Sequence, residues 1–462
     1  MPGSRASWPE RRAETMATVQ QTNTKSRLQA EFARLEGELT NGAPTWLAEK
    51  RRQAIARFEE LDFPHVRQEA WRFTSLRPLD KIEWKTARDG DTRRAALAVE
   101  RHEFAGLETH QVVLVDGMIN DELTTIGTLP KGVQVCSIDA AVKESPDLIE
   151  QHLGAMALND DHPFLALNTA MFAGGTVIVV PRSTVVEKPI HLVNLATGGN
   201  SVNHPRTLVL VGEASQATVI ETFASIEGGV YLTNAVTEFA LAASAVVDHI
   251  KIQRESDQAF HVAVMTCRQD RDSTLTSHNV SLGGALVRND IGSLLDDEGI
   301  HCDLSGLNMI SGTQHVDNHT LLSHAKPHCT SHQLYKSILD GKSTAVFNGR
   351  IHVHQDAQKT DAIQSNHSLL LSDEATAHSQ PNLEIFADDV KCTHGATIGN
   401  VADAALFYMR TRGIDKETAR TLLTYAYANE VLTNIKLEAV REKLEKIVFA
   451  RFNAGLPMEE LP

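Results

Sequence analysis

Cys392 and His394 stand two residues apart in the stretch ADDVKCTHGATIG, which runs from Ala387 to Gly399. In an extended chain, positions i and i+2 share a face, so the thiol and the imidazole point the same way. Together they are half of a donor set for a soft or borderline metal such as iron or zinc. The same pair also suits thiol chemistry or plain core packing, and a C-x-H spacing alone does not choose among these. Asp388 and Asp389 precede the pair, placed to hydrogen-bond an imidazole N–H and fix its tautomer. Gly395 follows, where a turn or a close backbone approach would set His394 near a strand end.

Other constellations invite chemistry and fall short of it. Eleven of the 21 histidines lie between His301 and His394, a density that raises a metalloenzyme. RIHVHQD places His352 and His354 on one strand face, as a cupin metal site would. The acidic ligand that should follow is missing, because only Asp356 stands among Gln355, Ala357, Gln358 and Lys359. No H-E-x-x-H occurs. Most of these histidines therefore read as turn or surface residues. DGKST, residues 340–344, resembles the end of a phosphate-binding loop, but that loop needs a glycine five positions before Gly341, and Lys336 occupies it. AVFNGRIHV then reads as a strand where a helix should begin. No G-x-S-x-G elbow is present.

The elements around these residues fall into three textures. SRLQAEFARLEGEL spaces Leu28, Phe32, Leu35 and Leu39 as a helix face, and a second helix is expected from Pro44 to Leu61. From about Asn168 to Gly399, short β-branched runs such as TVIVV, PIHLVNL and RTLVLVG recur between Gly, Asn, Asp and Pro. They suit a sandwich, a barrel or a solenoid, with no clean repeat period to favour the last. Beyond Gly399 helices return, with Asp415 as an expected N-cap and Gly413 as a helix stop. The chain has 462 residues and a formal charge of −15, which repels phosphate backbones and argues against nucleic acid. No apolar run is long enough to span a bilayer. The five cysteines, Cys136, Cys267, Cys302, Cys329 and Cys392, are odd in number and scattered, which points to a reducing cytosol. MPGSRASWPERRAET lacks an apolar core and is read as a disordered tail, or as sequence ahead of a true start at Met16, rather than as a targeting segment.

Reading on from Tyr335, AQKTDAIQSNHSLLLS, ADDVKCTHGAT and LFYMRTRGI resemble the C-terminal core of the SufB/SufD family of iron–sulfur cluster assembly proteins. The likeness is strongest across 333–414. It continues in ALNTAMFAGGTVIVV and EKPIHLVNL, within 166–195, and in EAWRFTSL, residues 69–76. The KC.HGAT form is similar to the SufD branch; the cysteine context and the added glutamate of the SufB branch are missing. The resemblance implies a right-handed parallel β-helix over 166–399, between an N-terminal helical and mixed region at 25–165 and a C-terminal helical domain at 400–462, with residues 1–24 as a tail. It also implies a complex with a SufB-type subunit and SufC-type ATPases, and no ATP site in this chain. A transient cluster would form where the two β-helices meet, with a SufB cysteine and His394 as ligands. Cys392 would carry sulfur or simply pack. Reduced flavin in the complex and a contribution to iron acquisition stay open.

In the C-terminal helices, Phe407 and Tyr408 beside Arg410 and Arg412 are the residue types of binding hot spots, and the ATPase is expected to dock there. The alternative is that the two aromatics close the end of the β-helix. Removal of everything from Val401 onward is expected to leave a soluble β-helix. The chain is thus expected to be a non-catalytic scaffold. A stand-alone histidine-rich, cupin-like metalloenzyme and a purely structural solenoid are the alternatives.

Overall fold

The computed structural model describes residues 24–87, 92–156 and 161–452. The expectations for the N-terminal tail, and the choice between Met1 and Met16, lie outside the described residues.

Strands of about ten residues, rich in Val, Ile, Leu and Thr, alternate between two sheets. Many of the strands end in a tight turn where the chain takes a left-handed step. Gly341 does so at φ +63°, and His328 and Lys359 do so at +61° and +63°. A strand pairs in parallel with the next but one in sequence, so every coil contributes one strand to each sheet. This is a β-solenoid. Thr274, His301, Thr330, Asp361 and Lys391 lie in one lateral row, yet successive coils take 27, 29, 31 and 30 residues. That drift, held in turns of changing length, erases the sequence period. The first strand of one sheet, His110–Val115, comes from well ahead of residue 166 and pairs with Ile190–Ala196, while 166 itself falls inside the helix Pro163–Met171.

Alternation along each strand sorts side chains into two sets. The inner set fills the space between the sheets, where Val219, Val247, Leu275, Cys302 and Leu304 form part of one buried cluster with Phe239, Leu322 and Phe347. Each such residue contributes on the order of 1.5–3 kcal/mol by leaving water. The interior also holds polar groups, and their partners are internal. Glu221 accepts from Thr207 and Thr237 and lies 3.1 Å from His249 Nε2. Lys251 donates to Asn289 Oδ1 at 2.7 Å, and burial pushes its ammonium down to about 8.

The outer faces are covered by helices. Thr24–Thr40, Thr45–Glu60 and Pro163–Met171 pack Leu28, Phe32, Phe58 and Phe164 onto Val202, Leu232, Phe260 and Leu286 of one sheet. Lys416–Leu432 and Glu438–Phe452 bring Val431, Leu432, Val440 and Val448 onto Ile250, Ile252, Val280 and Leu307 of the other. Asp415 caps the first of these, accepting from the amides of Glu417 and Thr418. Those helices bury an apolar sheet face that removal of residues from Val401 onward would bare to water, which counts against a soluble truncated solenoid.

EAWRFTSL forms a strap across the first sheet. Thr74 Oγ1 donates to Asp317 Oδ2 at 2.5 Å, and the buried Arg288 reaches both Asp317 and the Ala70 carbonyl while stacking 4.3 Å from the Trp71 ring.

Candidate functional site

Cys392 and His394 lie on Lys391–Asn400, the last strand of the solenoid. This strand pairs along one edge only, with Asp361–Leu370, setting Cys392 beside Ala362 and His394 beside Gln364. Ala362 and Gln364 are buried and inward-facing, as are Ser331 and Gln333 one coil earlier. Register therefore aims Cys392 and His394 over the solenoid interior, and both are accessible because no further coil covers them. The free edge of the strand also leaves its outward backbone N–H and C=O groups without a ladder partner.

Beneath His394 the interior is polar. Gln364 Nε2 lies 3.4 Å from Gln333 Oε1, which accepts from Thr320 at 2.7 Å. Gly349, on the facing sheet, makes room for this column, since a Cβ there would overlap the Gln364 amide. The His394 imidazole has no hydrogen-bond partner among the described residues. Cys392 packs half-buried against Ile351, Val353, Ala357, Ala362 and Ala387. Burial, and after it the nearby Asp361 charge, push its thiol up. Phe386 and Ile398 are exposed on the same end of the molecule. One imidazole and one thiol at an open end form an incomplete donor set, and a cluster held there needs its remaining ligands from another chain.

Several finer expectations are corrected. Asp389 is held by Lys359, and its amide donates to Gln358, so the acids ahead of Cys392 do not fix His394. Gly395 is not a turn; the strand runs on to Asn400, and His394 sits inside it. Most of the clustered histidines lie on strands rather than in turns, although, as expected of surface residues, all but His324 are at least partly exposed. His352 pairs with Glu384 at 3.0 Å and His354 bonds Ser323 at 3.0 Å, so the cupin-like pair is engaged with protein groups. DGKST is the turn between Leu339 and Thr344, and Lys336 is a buried tie to Glu430 and to the Tyr427 carbonyl on the helix above.

The helix Asp403–Thr411 has no buried side chain. Phe407 and Tyr408 are 69% and 57% exposed, and the Arg412 guanidinium lies 3.8 Å over the Tyr408 ring. Neither aromatic packs into a buried cluster, so they do not close the solenoid end. Sequence reasoning passed over the Arg288–Asp317–Thr74 network and a trio of His301, Asp303 and His332. Each group joins residues from different coils, and the available signal was spacing near the length of one coil, 29 residues from Arg288 to Asp317 and from Asp303 to His332.

A two-sheet parallel solenoid, helical at both ends, with a Cys/His pair on its uncovered terminal strand defines a narrow class of protein. Residues 194–427 match the profile of the "SUF system FeS cluster assembly, SufBD core domain", and residues 22–192 match the "SufBD protein N-terminal region". The chain belongs to the SufBD family of iron–sulfur cluster assembly proteins. It is 32% identical to iron–sulfur cluster assembly protein SufD of Escherichia coli, over 94% of this chain and 98% of that one. It is 31% identical to the SufBD family protein slr0076 of Synechocystis, over 94% and 97%. It is also 33% identical to Protein ABCI7, chloroplastic, of Arabidopsis thaliana, over 72% and 71%. No helix among the described residues is long and apolar enough to cross a membrane.

Proposed function

We propose that this chain is the non-catalytic, SufD-type scaffold subunit of a cytoplasmic SufBCD complex, and that it lends His394 to a cluster built at its junction with a SufB-type partner. The observation that carries this reading is the placement of His394: inward-facing by register, unpartnered, and accessible on the only uncovered strand of its sheet's C-terminal end. A partner strand added to that edge would satisfy the free backbone groups, cover Ile398 and Phe386, and bring further ligands to the imidazole. A neutral imidazole adds no charge to a cluster, which keeps it less anionic than an all-thiolate set and eases its transfer. Cys392 stands beside it as a sulfur-handling or packing residue. Phe407, Tyr408, Arg410 and Arg412 form the dock for a SufC-type ATPase.

Reconstitution of the complex with iron and a sulfur source tests the ligand. His394→Ala is expected to leave complex formation intact and sharply reduce the cluster absorbance, with His394→Cys restoring part of it. Cluster built on the His394→Ala complex at normal rate and yield would remove His394 from the site.

A further inference from the structure

Outside the terminal strand, one further group of side chains converges. His301 and Asp303 share the outer face of His301–Ile310, and parallel register sets Asp303 directly beside His332 on the next strand of that sheet. Each of the three offers one ligand atom, and these atoms all lie within 4.8 Å of one another. His301 Nε2 is 2.8 Å from Asp303 Oδ2, and His332 Nδ1 is 3.2 Å from Asp303 Oδ1. We propose that His301, Asp303 and His332 form a mononuclear site for a divalent first-row transition cation, separate from the cluster site at His394.

Three observations distinguish this trio from a surface ion pair. Asp303 Oδ1 is shielded from solvent and, apart from its 3.2 Å ion-pair contact with His332 Nδ1, has no hydrogen-bond partner among the described residues. His301 Nδ1 lies 2.6 Å from Thr330 Oγ1, which can accept its N–H and present the Nε2 lone pair to the site, as outer partners of ligating histidines do. The His332 side chain is 49% exposed, which leaves room for water in the open positions of a three-ligand site. Lys436, a cation whose charge reaches His301, is paired with Asp248 at 2.9 Å.

Two imidazoles and one carboxylate select zinc, iron(II), cobalt(II) and similar ions. Calcium and magnesium prefer all-oxygen shells, and copper(I) prefers sulfur. Without metal, a proton on His301 Nε2 bridges to Asp303; the cation takes its place and releases it. The site sits beside the helices Lys416–Leu432 and Glu438–Phe452, since Lys436 joins those helices and its charge reaches His301.

Cobalt(II) is the probe. The tag-free, full-length chain is stripped with a chelator and titrated, with visible ligand-field absorbance and bound metal read together. The unaltered chain is expected to bind one more equivalent than His332→Gln, whose side chain is half exposed and whose melting temperature checks that the fold is kept. Asp303→Asn should lose the same equivalent. Thr330→Val, which removes only the group behind His301, should weaken it by about 10–100-fold. The double variant Cys392→Ala/His394→Ala should keep it. Equal cobalt binding by the unaltered chain and His332→Gln overturns the proposal, and so does loss of the equivalent in the Cys392/His394 double variant.

Discussion

At the residue scale, the five thiols divide by position in the coil. Cys267, Cys302 and Cys329 are buried, and burial pushes the Cys302 thiol up to about 12. Cys392 would be buried in the same way if another coil followed, because Cys302 and Cys392 occupy one inward-facing row. Its chemistry is therefore a property of being last. Alkylation of the folded chain should modify Cys392 and Cys136, which are partly accessible, and spare the other three. Addition of the SufB-type partner should protect Cys392 selectively. Mass mapping of the modified peptides reads both outcomes, and labelling of Cys392 unchanged by the partner would place the junction elsewhere.

At the scale of elements, the strap EAWRFTSL is fastened by charge in a dry place. Asp317 is buried; burial alone would raise its carboxyl, but the Arg288 charge and then His319 outweigh it and hold it well below its usual 3.8. A depressed carboxyl contributes stability that is complete above its unfolded value and is lost as pH falls through the folded one. The strap should therefore loosen only in strong acid. Asp317→Asn leaves the buried Arg288 guanidinium with Asp290 as its remaining counter-charge, and should cost about 1–3 kcal/mol in denaturant unfolding at neutral pH. A loss below ~1 kcal/mol would mean that the helices, and not this network, hold the N-terminal region in place.

At the scale of the whole molecule, the two helical regions cover opposite outer faces and leave the strand Lys391–Asn400 and the helix Asp403–Thr411 exposed. A helix with no buried side chain gains little from its own fold, which leaves its aromatics free for the docking role proposed above. Replacing Phe407 and Tyr408 with Ala should change stability by no more than about 0.5 kcal/mol per residue. The same change should weaken binding of the SufC-type ATPase by about 2 kcal/mol or more, measured by calorimetry. Unchanged affinity would move the dock off this helix.

The sequence by itself determined the kinds of element and their order. Helix faces such as Leu28, Phe32 and Leu35, the Asp415 cap and the β-branched runs are local patterns, set by side-chain period and backbone sterics. It also carried C-x-H, whose members must share a face wherever the chain is extended. Which face that is, and whether anything covers it, depends on register between strands about thirty residues apart. Coil lengths of 27 to 31 residues hid that register from any fixed period. Only the folded solenoid put Gln364 beneath His394, left one edge of the last strand unpaired among the described residues, and brought His332 beside Asp303. Long-range pairing decides these juxtapositions, because backbone hydrogen bonding fixes lateral neighbours that local propensity does not specify.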